Sequence, residues 1–93
     1  MAEMVRARVL ISGLVQGVGF RYFVTSRAEQ YPITGYVRNL DTGSVEIVAE
    51  GDKEQVYGFL RAVRTGPAHA EIISFQTEWS NYEGKFEDFF VKY

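Results

Sequence analysis

A period-two run from Val5 to Ser12 passes through Gly13-Leu14-Val15-Gln16-Gly17-Val18-Gly19 and becomes a helical period at Phe20. The chain must therefore turn from strand to helix through a glycine-spaced loop. Ala7, Val9 and Ile11 fall on one side of the strand, and Arg8, Leu10 and Ser12 on the other. Phe20, Phe23, Val24, Ala28 and Tyr31 then recur at helical spacing. A loop feeding a helix N-terminus presents unpaired N–H groups at the positive end of the helix dipole, where an anion is favoured. Gly17 and Gly19 permit backbone angles that let successive N–H groups converge on one point. Arg21 adds a planar, permanently charged fork matched to phosphate oxygens.

Glycines in a strand-to-helix turn also serve ordinary turns, so the loop alone does not define a site. Its spacing does exclude two possibilities. There is no GxxxxGK[ST] run, and no third glycine completes a GxGxxG dinucleotide fingerprint. An anion smaller than a nucleotide is implied.

The remaining pattern extends the alternation. Gly35 to Asn39 reads as a second strand, Leu40 to Gly43 as a hairpin turn, and Ser44 to Glu50 as a third strand. In that strand Val45, Ile47 and Ala49 share one face, and Glu46, Val48 and Glu50 the other. Asp52 stands at an N-cap position before a helix whose Val56, Phe59, Leu60 and Val63 follow i, i+3, i+4, i+7, and Gly66-Pro67 stops it. Ile73, Phe75, Thr77 and Trp79 alternate in a fourth strand. A short last strand near Phe86 to Tyr93 is expected to pair back on the fourth through the turn from Asn81 to Lys85. The order β-α-β-β-α-β plus a terminal strand predicts an α+β fold of ferredoxin-like type, an antiparallel sheet with two helices on one face. Phe23, Val24, Ala28, Phe59, Leu60 and Val63 of the helices should meet Val9, Ile11, Val45 and Ile47 of the sheet. With no repeat, linker or low-complexity tract, one domain is expected over residues 1–93.

Composition narrows the function classes. Ninety-three residues, 46% hydrophobic, can build one core, although a chain this size buries only about 60 to 65% of its unfolded surface. No apolar run approaches the roughly 20 residues of a membrane span, and the charged start from Met1 to Arg8 lacks a signal peptide's apolar core, so a soluble cytoplasmic protein is expected. Zero cysteines exclude disulfides and thiolate chemistry. A net charge of -2 offers no general attraction to nucleic acid.

A second motif, Gly35-Tyr36-Val37-Arg38-Asn39-Leu40-Asp41-Thr42-Gly43-Ser44-Val45 with Gly51 six residues on, follows the first, and neither contains a gap. Together they resemble the acylphosphatase family, whose pattern is G-x-V-Q-G-V-x-F-R followed by G-[aromatic]-V-[basic]-N-x-x-x-G-x-V-x-x-x-x-x-G. The likeness runs over essentially the whole chain, including Gly66-Pro67 and Tyr82-Glu83-Gly84. One departure is the first helix exit, Gln30-Tyr31-Pro32-Ile33, where Pro32 disfavours helix at Tyr31 and the exit turn is expected to differ.

The resemblance implies a hydrolase that cleaves the carboxyl-phosphate bond of a small acyl phosphate by direct attack of water on phosphorus. In that reading loop amides from Val15, Gln16, Gly17, Val18, Gly19 and Phe20, with the Arg21 guanidinium, hold the phosphate, and the Asn39 side chain orients the water. Residue chemistry fits such a reaction. Phosphoryl transfer has a loose transition state, so catalysis is positioning and charge stabilisation. A carboxylate already leaves well and needs no strong general acid, whereas a phosphate monoester would require an acid or metal for which the sequence offers no convincing candidate. An amide such as Asn39 both donates and accepts, and so fixes a water without competing as a nucleophile. No cofactor, metal or phosphoenzyme is implied. The expected partners are the acyl phosphate substrate and inorganic phosphate as product and inhibitor, with no nucleic acid, no membrane and a monomeric state.

Other residues have plainer readings. Arg38 should point away from Asn39 by period-two alternation. Gln16 is suited to bracing the loop. His69, the only histidine, has no Asp, Glu or Cys partner at ligand spacing and is expected to be exposed and non-catalytic. Phe20, Tyr22, Phe23, Tyr36 and Trp79 are expected to pack in the core or on the sheet, with Tyr36 also able to border an acyl group.

Two alternatives of other classes remain open on the residues alone. RNA-recognition domains share the element order, and Gly19-Phe20-Arg21-Tyr22-Phe23-Val24 is similar to their aromatic octamer. That octamer belongs on the third strand, however, and the acidic balance opposes it. The other alternative is a non-catalytic module binding anions or carbamoyl phosphate, like the heads of larger carbamoyl-transfer proteins.

Overall fold

The computed structural model describes residues 3–93; Met1 and Ala2, part of the single-domain expectation, lie outside the described residues. The elements run β1 (Met4–Leu14), α1 (Phe20–Ala28), β2 (Thr34–Asn39), β3 (Val45–Asp52), α2 (Lys53–Arg64), β4 (Glu71–Asn81) and β5 (Phe89–Val91). They form a five-stranded sheet in the order β4-β1-β3-β2-β5. β1 is antiparallel to both β3 and β4, so the pairs β1/β2 and β3/β4 each run parallel with one strand between them. Two interleaved split β-α-β units result, which is the expected ferredoxin-like arrangement.

The apolar face of each strand meets the helices as its period requires. Val9, Ile11, Val45 and Ile47 are fully buried against Val24, Phe59, Leu60 and Val63 in one cluster. Asp52 caps α2 as expected, its Oδ1 accepting from the Glu54 amide at 2.9 Å. α1 is shorter than its spacing suggests and ends at Ala28, leaving Tyr31 in the exit turn. Pro32 explains the early stop, and Tyr31 still packs on the core, edge-on to Phe59. Phe23 corrects the expected core: it is half-buried outside the cluster, covered by the Arg27 guanidinium 4.8 Å from its ring.

β4 alternates as expected from Phe75 onward but is out of phase before it. The β1–β4 register shifts between Ser12 and Gly13, pairing Gly13 with Ile72 rather than Ile73. Ile72 therefore packs on the core while Ile73 is 78% exposed, because a β-bulge moves an extra residue out of phase.

The largest correction concerns β5. It does not fold back on β4 but pairs parallel to β2 at the far edge, with Gly35 opposite Phe89 and Val37 opposite Val91. The sheet is thus mixed rather than wholly antiparallel. To reach β2 the chain crosses the sheet face opposite the helices. There the buried Glu50 carboxylate accepts from the Glu83 amide at 2.8 Å and the Gly84 amide at 3.1 Å. Phe86 then stacks edge-on to Tyr36 at 5.8 Å between ring centres. Gly35 donates to the Asp88 carbonyl at 2.9 Å, and the Lys92 amide to that of Val37 at 2.9 Å. A buried carboxylate needs donors, and the crossing backbone supplies two.

The same face of β3 buries a second carboxylate. Glu46 is only 3% exposed and accepts from Arg8 Nε and Arg38 Nε, each at 2.6 Å, and from the Tyr36 hydroxyl at 3.2 Å. Burial pushes the Glu46 carboxyl up, but the Arg38 and Arg8 guanidiniums outweigh it and hold its pKa below the ordinary value. Burial, reinforced by the Glu46 charge, raises that of the Tyr36 hydroxyl, which stays a donor. Among the described residues no helix is long and apolar enough to cross a membrane.

Candidate active site

β1 and β2 both end at one edge of the sheet's plane, separated by β3. Ile11 and Asn39 are each registered opposite Val45, so the loop leaving β1 and the last residue of β2 reach the same end of the sheet. The loop tightens there because Gly17 and Gly19 adopt φ of 74° and 78°, and a Cβ at either would meet nothing within 4 Å. Backbone conformation, not lack of space, calls for glycine at these two positions.

Gly19 is the N-cap of α1, and neither a side-chain cap nor an acidic residue occupies that first turn. The described backbone hydrogen bonds include none donated by residues from Gln16 to Tyr22. Free amides at a helix start, with no carboxylate to neutralise the dipole, favour an anion. Arg21 stands over them without a salt-bridge partner among the described residues.

These groups open on a cleft of about 320 Å³ lined by Val15, Gly17, Gly19, Phe20, Arg21 and Asn39. The side chains of Val15 and Phe20 belong to the core, whereas Asn39, the last residue of β2, lines the cleft as a polar residue. Its Oδ1 is buried and has no hydrogen-bond partner among the described residues. Such an orphan acceptor costs about 1–3 kcal/mol unless a donor meets it.

Two loop residues named from the sequence do not line the cleft. Gln16 turns the other way, its Nε2 donating to the carbonyl of Leu40 at 2.8 Å and that of Ser44 at 2.9 Å, which is the bracing role its side chain was suited to. Val18 packs on the core. Arg38 diverges from Asn39 to reach Glu46, as alternation requires. Tyr36 sits under Phe86 and Phe90 rather than in the cleft, so it does not border it.

Four lining residues escaped the sequence reading. Tyr22, expected to pack, is 79% exposed and faces the cleft, as does Thr25. Thr25 lies one helical turn after Arg21, a spacing that would have found it. Val91 and Tyr93 arrive only because β5 joins β2. The Arg21 guanidinium lies 5.3 Å from the Tyr93 ring centre, a cation–π distance.

Known proteins resemble this chain over most of its length. The acylphosphatase family model matches residues 7–91. An acylphosphatase of Dehalococcoides mccartyi is 41% identical over 87 residues, covering 92% of this chain and 96% of that protein. The crystal structure of acylphosphatase from Bacillus subtilis superposes with a TM-score of 0.91 at 35% identity, covering 96% of this chain and 99% of that one. Full-length HypF, solved in a phosphate- and nucleotide-bound form, matches 99% of this chain with 12% of its own length, at 29% identity and a TM-score of 0.89. Family match, relatives and fold agree over nearly the whole chain. The chain belongs to the acylphosphatase family.

Proposed function

We propose that this enzyme hydrolyses small acyl phosphates by a single in-line displacement in which Arg21 and the loop amides hold the phosphoryl group and Asn39 directs the water. The observation that supports these roles is that Asn39, whose buried Oδ1 has no hydrogen-bond partner among the described residues, lines the same cleft as Arg21, which has no salt-bridge partner among them. The phosphoryl oxygens take hydrogen bonds from amides of the cleft-lining loop residues, Gly17, Gly19 and Phe20 among them, and from the Arg21 fork, which spreads the charge of the loose transition state. A water held by the Asn39 side-chain amide turns its lone pair toward phosphorus. The new P–O bond forms as the bond to the acyl oxygen breaks, and the carboxylate leaves with the electron pair. Acyl phosphate dianion and water thus yield carboxylate and dihydrogen phosphate, which ionises according to pH.

Inorganic phosphate fits the same seat and is expected to compete with substrate. The reaction needs no metal or cofactor in this reading, because the leaving group is already a weak base. We infer a monomer acting in the cytoplasm through one domain over residues 1–93, without nucleic-acid partners. Steady-state hydrolysis of a synthetic aryl acyl phosphate tests the core of the proposal. Turnover should be unchanged in EDTA and competitively inhibited by phosphate. Activity lost in chelator and restored by magnesium or zinc would overturn it.

A further inference from the structure

At the opposite edge of the sheet from β2 and β5, α2 and β4 frame an aromatic pair that the Arg21 cleft does not use. Tyr57 of α2 and Trp79 of β4 stack with ring centres 5.1 Å apart and planes inclined by 31°, yet remain 50% and 38% exposed. Beside them lies a cleft of about 300 Å³ whose other walls are Leu60, Arg61, Arg64 and Phe75. The Arg64 guanidinium lies 5.2 Å from the Phe75 ring centre. Among the described residues neither Arg61 nor Arg64 forms a salt bridge, and no carboxylate lines the cleft. Glu78, adjacent to Trp79, lines a different groove with Arg8.

Basic residues in the last turn of α2 complement the helix dipole. That accounts for positive charge there but not for aromatic walls left in water around it. Two guanidiniums with no carboxylate partner among the described residues, beside an exposed aromatic stack, are complementary to a molecule with a flat ring at one end and an anion at the other. The ring would extend the stack, and the forks would take the anion bidentately. The volume sits at the small end of the range for ligand pockets.

We propose that the α2–β4 cleft is a second binding site, independent of the Arg21 cleft, for a planar aromatic anion whose ring lies on Trp79 and whose charge pairs with Arg61 and Arg64. A nucleoside monophosphate and a free aromatic carboxylate both have this chemistry.

Trp79 is the only tryptophan in the chain, so its fluorescence reports the site directly. Titration with AMP and with benzoate, excited beyond the adenine band, should give saturable quenching by at least one. Its Kd should be at least tenfold below those of adenosine and inorganic phosphate, which each carry half of the chemistry. A response to AMP alone assigns a nucleotide, and a response to benzoate assigns an aromatic carboxylate. The double variant Arg61→Ala, Arg64→Ala should weaken the responding ligand at least tenfold while acyl phosphate turnover stays at the wild-type rate. Arg21→Ala should leave the quenching curve unchanged. The proposal is overturned if neither probe quenches saturably, if a half-ligand binds as tightly, or if quenching survives loss of both arginines. It is equally overturned if quenching disappears with Arg21. Binding of the responding probe to Trp79→Phe by calorimetry, expected within a few-fold of wild type, checks that quenching reports occupancy.

Discussion

The Gln16 side-chain nitrogen lies 2.8 Å from the Leu40 carbonyl oxygen and donates to it, tying the loop after β1 to the residue that follows Asn39. Its second proton goes to Ser44 across the same hairpin. One side chain thus sets the spacing between the amides that would hold the phosphoryl group and the amide that would hold the water.

Gln16→Leu should lower stability by about 1–3 kcal/mol, since two hydrogen bonds are lost, although the Gly43 and Leu40 amides still donate to the Leu40 and Ser44 carbonyls. Turnover should fall by roughly 10- to 100-fold through misplacement of the two halves of the site. Gln16→Glu should be worse, because a carboxylate faces two acceptors. Urea unfolding beside steady-state rates checks both expectations. Wild-type turnover in Gln16→Leu would show that the hairpin holds its position without this clamp.

Arg21 and Asn39 should separate kinetically. Arg21→Ala should weaken phosphate binding and turnover together, and Arg21→Lys, which keeps charge but loses the fork, should remain severely impaired. Asn39→Ala should keep phosphate affinity while turnover drops by roughly 100- to 1000-fold, as for a lost positioning or oxyanion donor. Calorimetric titration with phosphate and rates for the three variants decide this, with circular dichroism as the folding control. Normal phosphate binding by Arg21→Ala would remove it from the phosphate seat.

Glu46 should make stability depend on acid pH. Its folded pKa lies below the unfolded carboxyl value of about 4.3. The resulting stability is therefore fully present above that value and is lost as pH falls through the folded-state pKa. Glu46→Gln should cost about 1–3 kcal/mol at pH 7, a range discounted for the partial exposure of Arg8 and Arg38. Below the folded pKa of Glu46 the difference from wild type should shrink. Denaturant melts of both proteins at neutral and strongly acid pH measure it, and a difference that is constant with pH would contradict the assignment.

Glu50 should hold the β4-to-β5 crossing. Glu50→Gln offers a side-chain N–H2 where the Glu83 or Gly84 amide needs an acceptor, a loss of about 1–3 kcal/mol. Amide exchange at Phe89 to Val91 should accelerate while that of β1 stays slow. Because Val91 and Tyr93 line the Arg21 cleft, KM for acyl phosphate should rise as well. Unchanged exchange in β5 would show that its pairing with β2 alone fixes the segment.

Local chemistry made much of this protein legible in its sequence. Period-two and helical spacing located β1, β3 and α2 and their buried faces, Asp52 marked a helix start, and the two glycines with Arg21 marked an anion seat, whereas Asn39 was marked only by the resemblance to a family motif. Each of these signals depends on neighbours a few residues apart. The destination of β5 does not. Three residues carry no pairing preference of their own, and both β4 and β2 leave an edge free. What decides between them is Glu50 and Tyr36, buried beneath the crossing chain some 30 to 50 residues away in sequence. The same long-range choice brings Val91 and Tyr93 to the cleft, and the bulge beside Gly13 turns Ile73 outward against its own alternation. Sequence periodicity says which face of a strand is apolar; only tertiary packing settles which edge the strand joins, because the partner's unsatisfied polar groups lie elsewhere in the chain.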